Sequence, residues 1–253
     1  MEIRGRTAIV TGSGSGIGRA IAIEFARNGA HVVCCSRRRE KLEETAAIIK
    51  KGGGSAIAVQ TDVTRQGDVR RMVKETIQRF GKIDVLFNNA GSFQSIAGVW
   101  EAESELWWTD VSVNLLGAFL CIREALPGMM ERDEGIIINM NGGRPTGGTG
   151  YACGKAGLME LTRILVEELK IAKSRVMVFG AGPGLVRTEM TELQASTESG
   201  RKWIPSTAEC FETGKVRQPE EIAEATMEMI RVARIELSGI SYDPGTDFRK
   251  FRR

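Results

Sequence analysis

Seven short apolar runs recur along the chain, at 7–10, 32–35, 56–59, 85–87, 136–138, 176–179 and 239–242. Between them, stretches near 17–27, 39–51, 66–80, 113–130, 151–172 and 219–233 carry apolar residues at helical spacing. Regular alternation of such strands and amphipathic helices predicts an α/β fold, a parallel sheet covered by helices on both faces. The segment at about 186–218 has no strong period and mixes polar residues with Trp203, Ile204 and Phe211. Long connections of that kind tend to be lids or binding loops, so substrate contacts are expected there. With no repeat or low-complexity linker, residues 1–253 read as one domain.

Charge changes this picture little. The 35 Lys and Arg against 32 Asp and Glu leave a formal +3, too small to imply a nucleic-acid partner, and small-molecule chemistry is expected instead. The first residues lead straight into a strand without a signal segment, and no run of about 18 apolar residues follows, so no membrane association and a soluble, cytoplasmic protein are expected. Five cysteines without a C-x-x-C, and the single histidine His31, give no metal-ligand pattern and no disulfide framework. The lone histidine also argues against Ser-His and Cys-His hydrolases, which need an imidazole beside the nucleophile. The basic tail 249–253 reads as solvated.

Two patterns carry chemistry. After the first strand, Thr11-Gly12-Ser13-Gly14-Ser15-Gly16-Ile17-Gly18 opens directly into a helix, and glycines there let backbone approach a pyrophosphate at the positive end of the helix dipole. Further on, Tyr151 and Lys155 stand four apart, on one face if helical. At roughly 4 Å and an effective dielectric of about 20, a cation beside a phenolate is worth ~4 kcal/mol, or about three pKa units, enough to tune the phenol for proton transfer near neutrality.

Together Thr11–Gly18, Asn88-Asn89-Ala90-Gly91, Asn114, Tyr151-x-x-x-Lys155 and Pro183-Gly184 resemble, in order and spacing, the short-chain dehydrogenase/reductase family over essentially the whole chain. The resemblance implies a Rossmann-type doubly wound sheet and hydride exchange between a nicotinamide cofactor and an alcohol or carbonyl. It casts Tyr151 as the proton donor or acceptor, Lys155 as the group that holds the nicotinamide ribose and lowers the tyrosine pKa, and Asn114 as the anchor of a relay water. Cofactor contacts would come from Gly12, Ser13, Ser15, Gly16, Ile17 and Gly18, from Asp62 and Val63 at the adenine, and from Asn89, Ala90 and Gly91 on the adenosine side. Pro183, Gly184, Leu185, through its backbone groups, and the Thr188 hydroxyl would meet the nicotinamide amide. At the end of the second strand, Ser36-Arg37-Arg38 replaces the acidic residue that would accept from the 2′-hydroxyl of NAD, so NADP is favoured over NAD. The helices at 113–130 and 151–172 would form a homodimer or homotetramer.

The pattern breaks after the fifth strand. The family serine that donates to the substrate oxygen is absent, and Asn141-Gly142 stands in its place. Losing one such donor typically lowers the rate ~10²–10³-fold. Asn141 has the best position to replace it, followed by Thr146, Thr149 or a backbone N–H. Five glycines in 141–150 also suggest a mobile loop. Apolar Leu185, Met190, Trp203 and Phe211 point to an apolar organic substrate, and Arg144 and Arg187 to an anionic group on it. The leading reading is an NADP-dependent carbonyl reductase or alcohol dehydrogenase. The alternative is an NADP(H)-binding regulatory or scaffold protein that has lost catalysis with its serine.

Overall fold

In the computed structural model, which describes residues 2–252, each of the seven apolar runs contributes a strand, the last only at Ser241–Tyr242, and all pair in parallel. Met1 and Arg253, the last residue of the basic tail, lie outside the described residues. The strands are β1 (Thr7–Thr11), β2 (His31–Ser36), β3 (Ser55–Gln60), β4 (Val85–Asn88), β5 (Ile136–Met140), β6 (Met177–Ala181) and β7 (Ser241–Tyr242), in the order β3-β2-β1-β4-β5-β6-β7. The strand order reverses between β1 and β4, which opens a crevice at the carboxyl ends of the strands, where doubly wound sheets bind ligands.

Side chains alternate across the sheet and so build two cores. On one face Ala8, Val10, Val32, Cys34, Ile136 and Ile138 pack under α1 (Gly16–Arg27), α2 (Arg39–Lys51) and α10 (Pro219–Val232). On the other, Ile9, Val33, Cys35 and Ile137 meet α3 (Gln66–Phe80), α5 (Gly117–Glu131) and α6 (Thr149–Ile171). At the opposite end of the sheet from the crevice, the buried Asp84 carboxylate accepts from Thr7 N at 2.9 Å and pairs with Arg6 and Lys82, which keep partial access to water. That arrangement satisfies a buried charge without stranding its partners.

Two regions differ from the sequence reading. The helix expected at 113–130 begins earlier, as α4 (Ser104–Val111), and joins α5 through a π-helical turn, Ser112–Leu116. The segment 186–218, read as aperiodic, folds into three short helices, α7 (Glu189–Ser196), α8 (Glu198–Trp203) and α9 (Pro205–Glu212). Each is too short to show a helical period, and capping starts them. The Thr188 hydroxyl accepts from Thr191 N, the Thr197 hydroxyl accepts from Gly200 N, and Pro205 opens α9.

Candidate active site

A cleft of about 660 Å³ runs along the carboxyl ends of the strands, from Ser36, Arg37 and Arg38 past the glycine-rich turn to Tyr151 and Lys155. The turn fits a dinucleotide phosphate. Gly12 and Gly16 have φ of +67° and +51°, and α1 points its N-terminus at the cleft. Gly18 serves packing instead: a Cβ there would meet Asn89 Nδ2 at 2.5 Å. Of the expected cofactor residues, Gly12, Ser15, Gly16, Ile17, Ser36, Arg37, Arg38, Asp62, Val63, Asn89, Ala90, Gly91, Pro183, Gly184 and Thr188 line the cleft. Ser13 lies beneath it, its hydroxyl accepting from Cys35 N. Leu185 is absent from the lining, and its carbonyl accepts from Arg217 N at 3.0 Å. Asp62 also makes the strand-end turn, its Oδ1 accepting from Thr64 N and Oγ1.

Lys155 sits on the cleft floor, buried, and its ammonium donates to the Met140 carbonyl at 2.8 Å. Burial lowers its pKa to about 8. Tyr151 behaves differently from the sequence expectation. Burial, and then the negative charge of Asp110, push its phenol up to about 12 rather than down. Lys155 Nζ stands 5.9 Å from the Tyr151 ring centre.

The π-helical turn carries Asn114, whose Nδ2 donates to the Ser92 and Asp110 carbonyls, both at 2.7 Å. Its Oδ1 is buried without a partner among the described residues. That oxygen and Lys155 Nζ flank Gly91, at 3.1 and 3.9 Å from where a Cβ would stand. Gly154 lets α6 approach the turn, since a Cβ there would lie 2.9 Å from Asn114 Cβ.

Asn141 lines the cleft, but its amide does not turn to Tyr151. Nδ2 donates to Ser241 Oγ at 3.2 Å and lies over Gly180 on β6, where a side chain would collide. Gly142 is the residue against the phenol. A Cβ on it would overlap Tyr151 Oη and stand 2.9 Å from Tyr151 Cζ and 2.7 Å from Lys155 Cγ. Phe93 stacks on the Tyr151 ring, with centres 4.7 Å apart and planes 12° from parallel. Neither Phe93 nor Asp110, which holds the segment bearing Phe93 by accepting from Ser92 Oγ, Gln94 N and Ser95 N, was marked by the sequence; Asp110 stands one helical turn before Asn114, the only available hint.

The glycines after β5 are used for close packing. Gly148 accommodates Phe93, Gly147 accommodates Trp203 and Gly150 accommodates the Trp107 backbone, each at distances a Cβ would make prohibitive. Ala97 N donates to Gly147 O at 2.8 Å, and Thr149 Oγ1 accepts from Trp107 Nε1 at 3.0 Å. Thr149 is thereby turned toward Trp107, and Thr146 is exposed. The expected anion-reading Arg187 is occupied, stacked over Phe211 at 4.7 Å and paired with Glu192.

Residues 6–199 match the family model for short chain dehydrogenase. The chain is 35% identical over 231 residues to the (2S)-[(R)-hydroxy(phenyl)methyl]succinyl-CoA dehydrogenase subunit of Thauera aromatica, covering 90% of each. It is 30% identical over 234 residues to a 3-oxoacyl-[acyl-carrier-protein] reductase of Thermotoga maritima, covering 90% of this chain and 91% of the relative. Among solved structures, an actinorhodin polyketide ketoreductase variant with NADPH superposes with a TM-score of 0.83 at 28% identity, covering 94% of this chain and 95% of that one. A short chain dehydrogenase/reductase from Burkholderia phymatum in complex with NAD gives 0.84 at 25% identity, covering 97% and 90%. With the parallel sheet and its cleft, these matches show that the chain belongs to the short-chain dehydrogenase/reductase family, NAD(P)-dependent oxidoreductases that transfer hydride to or from CH–OH and carbonyl groups.

Proposed function

We propose that the protein is an NADP(H)-preferring, cytoplasmic carbonyl reductase or alcohol dehydrogenase in which Tyr151 moves the proton. The observation that carries this reading is the packed phenol: Tyr151 has its ring stacked on Phe93 and its hydroxyl end against Gly142, one helical turn from the buried Lys155, with the hydroxyl unbonded among the described residues. A nicotinamide, when bound, supplies or accepts the hydride. Tyr151, protonated at neutral pH, donates its proton to the substrate oxygen, and the Lys155 charge stabilises the phenolate that remains. Asn114, through its orphaned Oδ1, holds a water toward Lys155 for proton resupply. The N–H groups of Gly142 and Gly143, which have no partner among the described residues, take over the donation to the substrate oxygen that a serine hydroxyl makes in relatives. Nothing in the relatives favours the scaffold reading, since they are named as dehydrogenases and reductases.

The preference for NADP rests on the cleft's outer end. Ser36 Oγ is buried without a partner beside Gly14, and Arg37 stands exposed with no side-chain partner among the described residues. A 2′-phosphate would satisfy both. The test is a panel of ketones, aldehydes and alcohols assayed with NADPH and with NADH across pH. Reduction is expected to run faster with NADPH, to be flat at neutral pH and to fall as pH rises through about 8, where Lys155 loses its charge. A faster rate with NADH, or reduction that climbs through that window, would sink the assignment.

We further read the exposed face of Ser104–Glu131 and α6 as the contact with other copies. Trp108, Leu116 and Phe119 on the first and Met159, Ile164 and Ile171 on the second are exposed, although half of the most apolar stretch of Ser104–Glu131 is buried in the fold. A homodimer or homotetramer is expected by light scattering, and a monomer's mass would contradict it.

A further inference from the structure

The corner of the cleft prepared for an anion already holds one. Arg38 Nη2 donates to Glu189 Oε2 at 2.8 Å and to Ser15 Oγ at 3.0 Å, and Ser15 Oγ reaches the same carboxylate oxygen at 3.5 Å. Glu189 comes from the first turn of α7, far along the chain from Arg38. The contact is reinforced by packing, because Thr188 Cγ2 lies 3.0 Å from where a Cβ on Gly16 would stand. The carboxylate thus takes an arginine nitrogen and a hydroxyl, the partners a phosphate monoester would take in their place. Ser36 Oγ, unpartnered among the described residues, and Arg37 stand in the same end of the cleft.

We propose that Glu189 is a specificity-determining residue for the cofactor: it competes with a 2′-phosphate for Arg38 and Ser15, and offers a 2′-hydroxyl the acceptor that the end of β2 lacks. The proposal rests on the reading of this cleft as the NADP(H) site. Two anions cannot share one guanidinium without repulsion, so NADPH has to displace Glu189, loosening α7 from the glycine-rich turn. A phosphate with about 1.5–2 negative charges can do so. NADH has no such charge, and its hydroxyl can donate to the carboxylate, as acidic residues elsewhere select NAD. The two side chains are 57% and 56% exposed, so the competition is modest.

The experiment titrates NADPH and NADH separately into the full-length protein and into its Glu189→Gln variant, following tryptophan fluorescence. The amide keeps the size of the side chain and removes its charge. The variant is expected to bind NADPH about three- to five-fold more tightly, the scale of one exposed ion pair, while NADH binds equally or more weakly. A ratio of the two dissociation constants unchanged by the substitution, whether both move or neither does, would overturn the role of Glu189. Wild-type protein that binds neither dinucleotide would instead sink the reading of the cleft itself, and the two failures are distinguishable in one data set.

Discussion

Replacing Tyr151 with phenylalanine is expected to lower turnover about 10³–10⁴-fold while leaving NADPH affinity within about two-fold. The substitution is clean because of how the ring is held. Its packing comes from the face stacked on Phe93, which a phenylalanine ring meets equally well. The hydroxyl makes no hydrogen bond among the described residues, so its removal strands no protein donor or acceptor and leaves stability essentially unchanged. What disappears is the hydroxyl that gives its proton to the substrate oxygen. With its phenol pushed up to about 12, Tyr151 carries its proton at neutral pH and meets a carbonyl substrate as the acid. Stopped assays with NADPH consumption, paired with fluorescence titration of the cofactor, separate the two effects. Turnover retained within about ten-fold would remove Tyr151 from the mechanism.

Much of the fold was legible because it depends on short-range pattern. Runs such as Ile136-Ile137-Ile138 are apolar on both sides, since both faces of the sheet are covered, and that burial is visible without any knowledge of partners. Helices α7, α8 and α9 were not legible, because six to eight residues do not complete enough turns to establish a period and their starts depend on single capping groups. The cleft residues contributed by the glycine-rich turn and by β4 could be read because their backbone requirements leave a glycine signature. Glycine is ambiguous after β5, however. It marks either freedom or closeness, and only the positions of Phe93, Trp203 and Trp107 show that Gly147, Gly148 and Gly150 serve closeness. The pairing of Arg38 with Glu189 joins residues 151 positions apart in the chain, and nothing local in either segment announces it.

The same ambiguity makes Gly142 the most informative position to change. Restoring a hydroxyl with Gly142→Ser, the substitution that would complete the family pattern, is expected to lower turnover about 100-fold, because ~1 Å of misplacement at a reacting group has that effect. The reason is the Cβ, not the hydroxyl. It would overlap Tyr151 Oη and press on Cζ at 2.9 Å and on Lys155 Cγ at 2.7 Å. The ring is held on one face by Phe93, which is itself backed by Gly148, where a Cβ would stand 2.6 Å from Phe93 Cε2. Gly142→Ala carries the same Cβ and is expected to lose as much as Gly142→Ser, with NADPH binding retained in both. Adding Phe93→Ala gives the phenol room to move and is expected to recover part of the loss, a coupling that additive damage would not produce. If Gly142→Ser instead turns over faster than the wild type, the phenol is not wedged and the protein lacks a donor that a serine can supply. If serine and alanine lose activity together, the proton relay has been rebuilt around a glycine, with backbone N–H groups in place of the missing side chain.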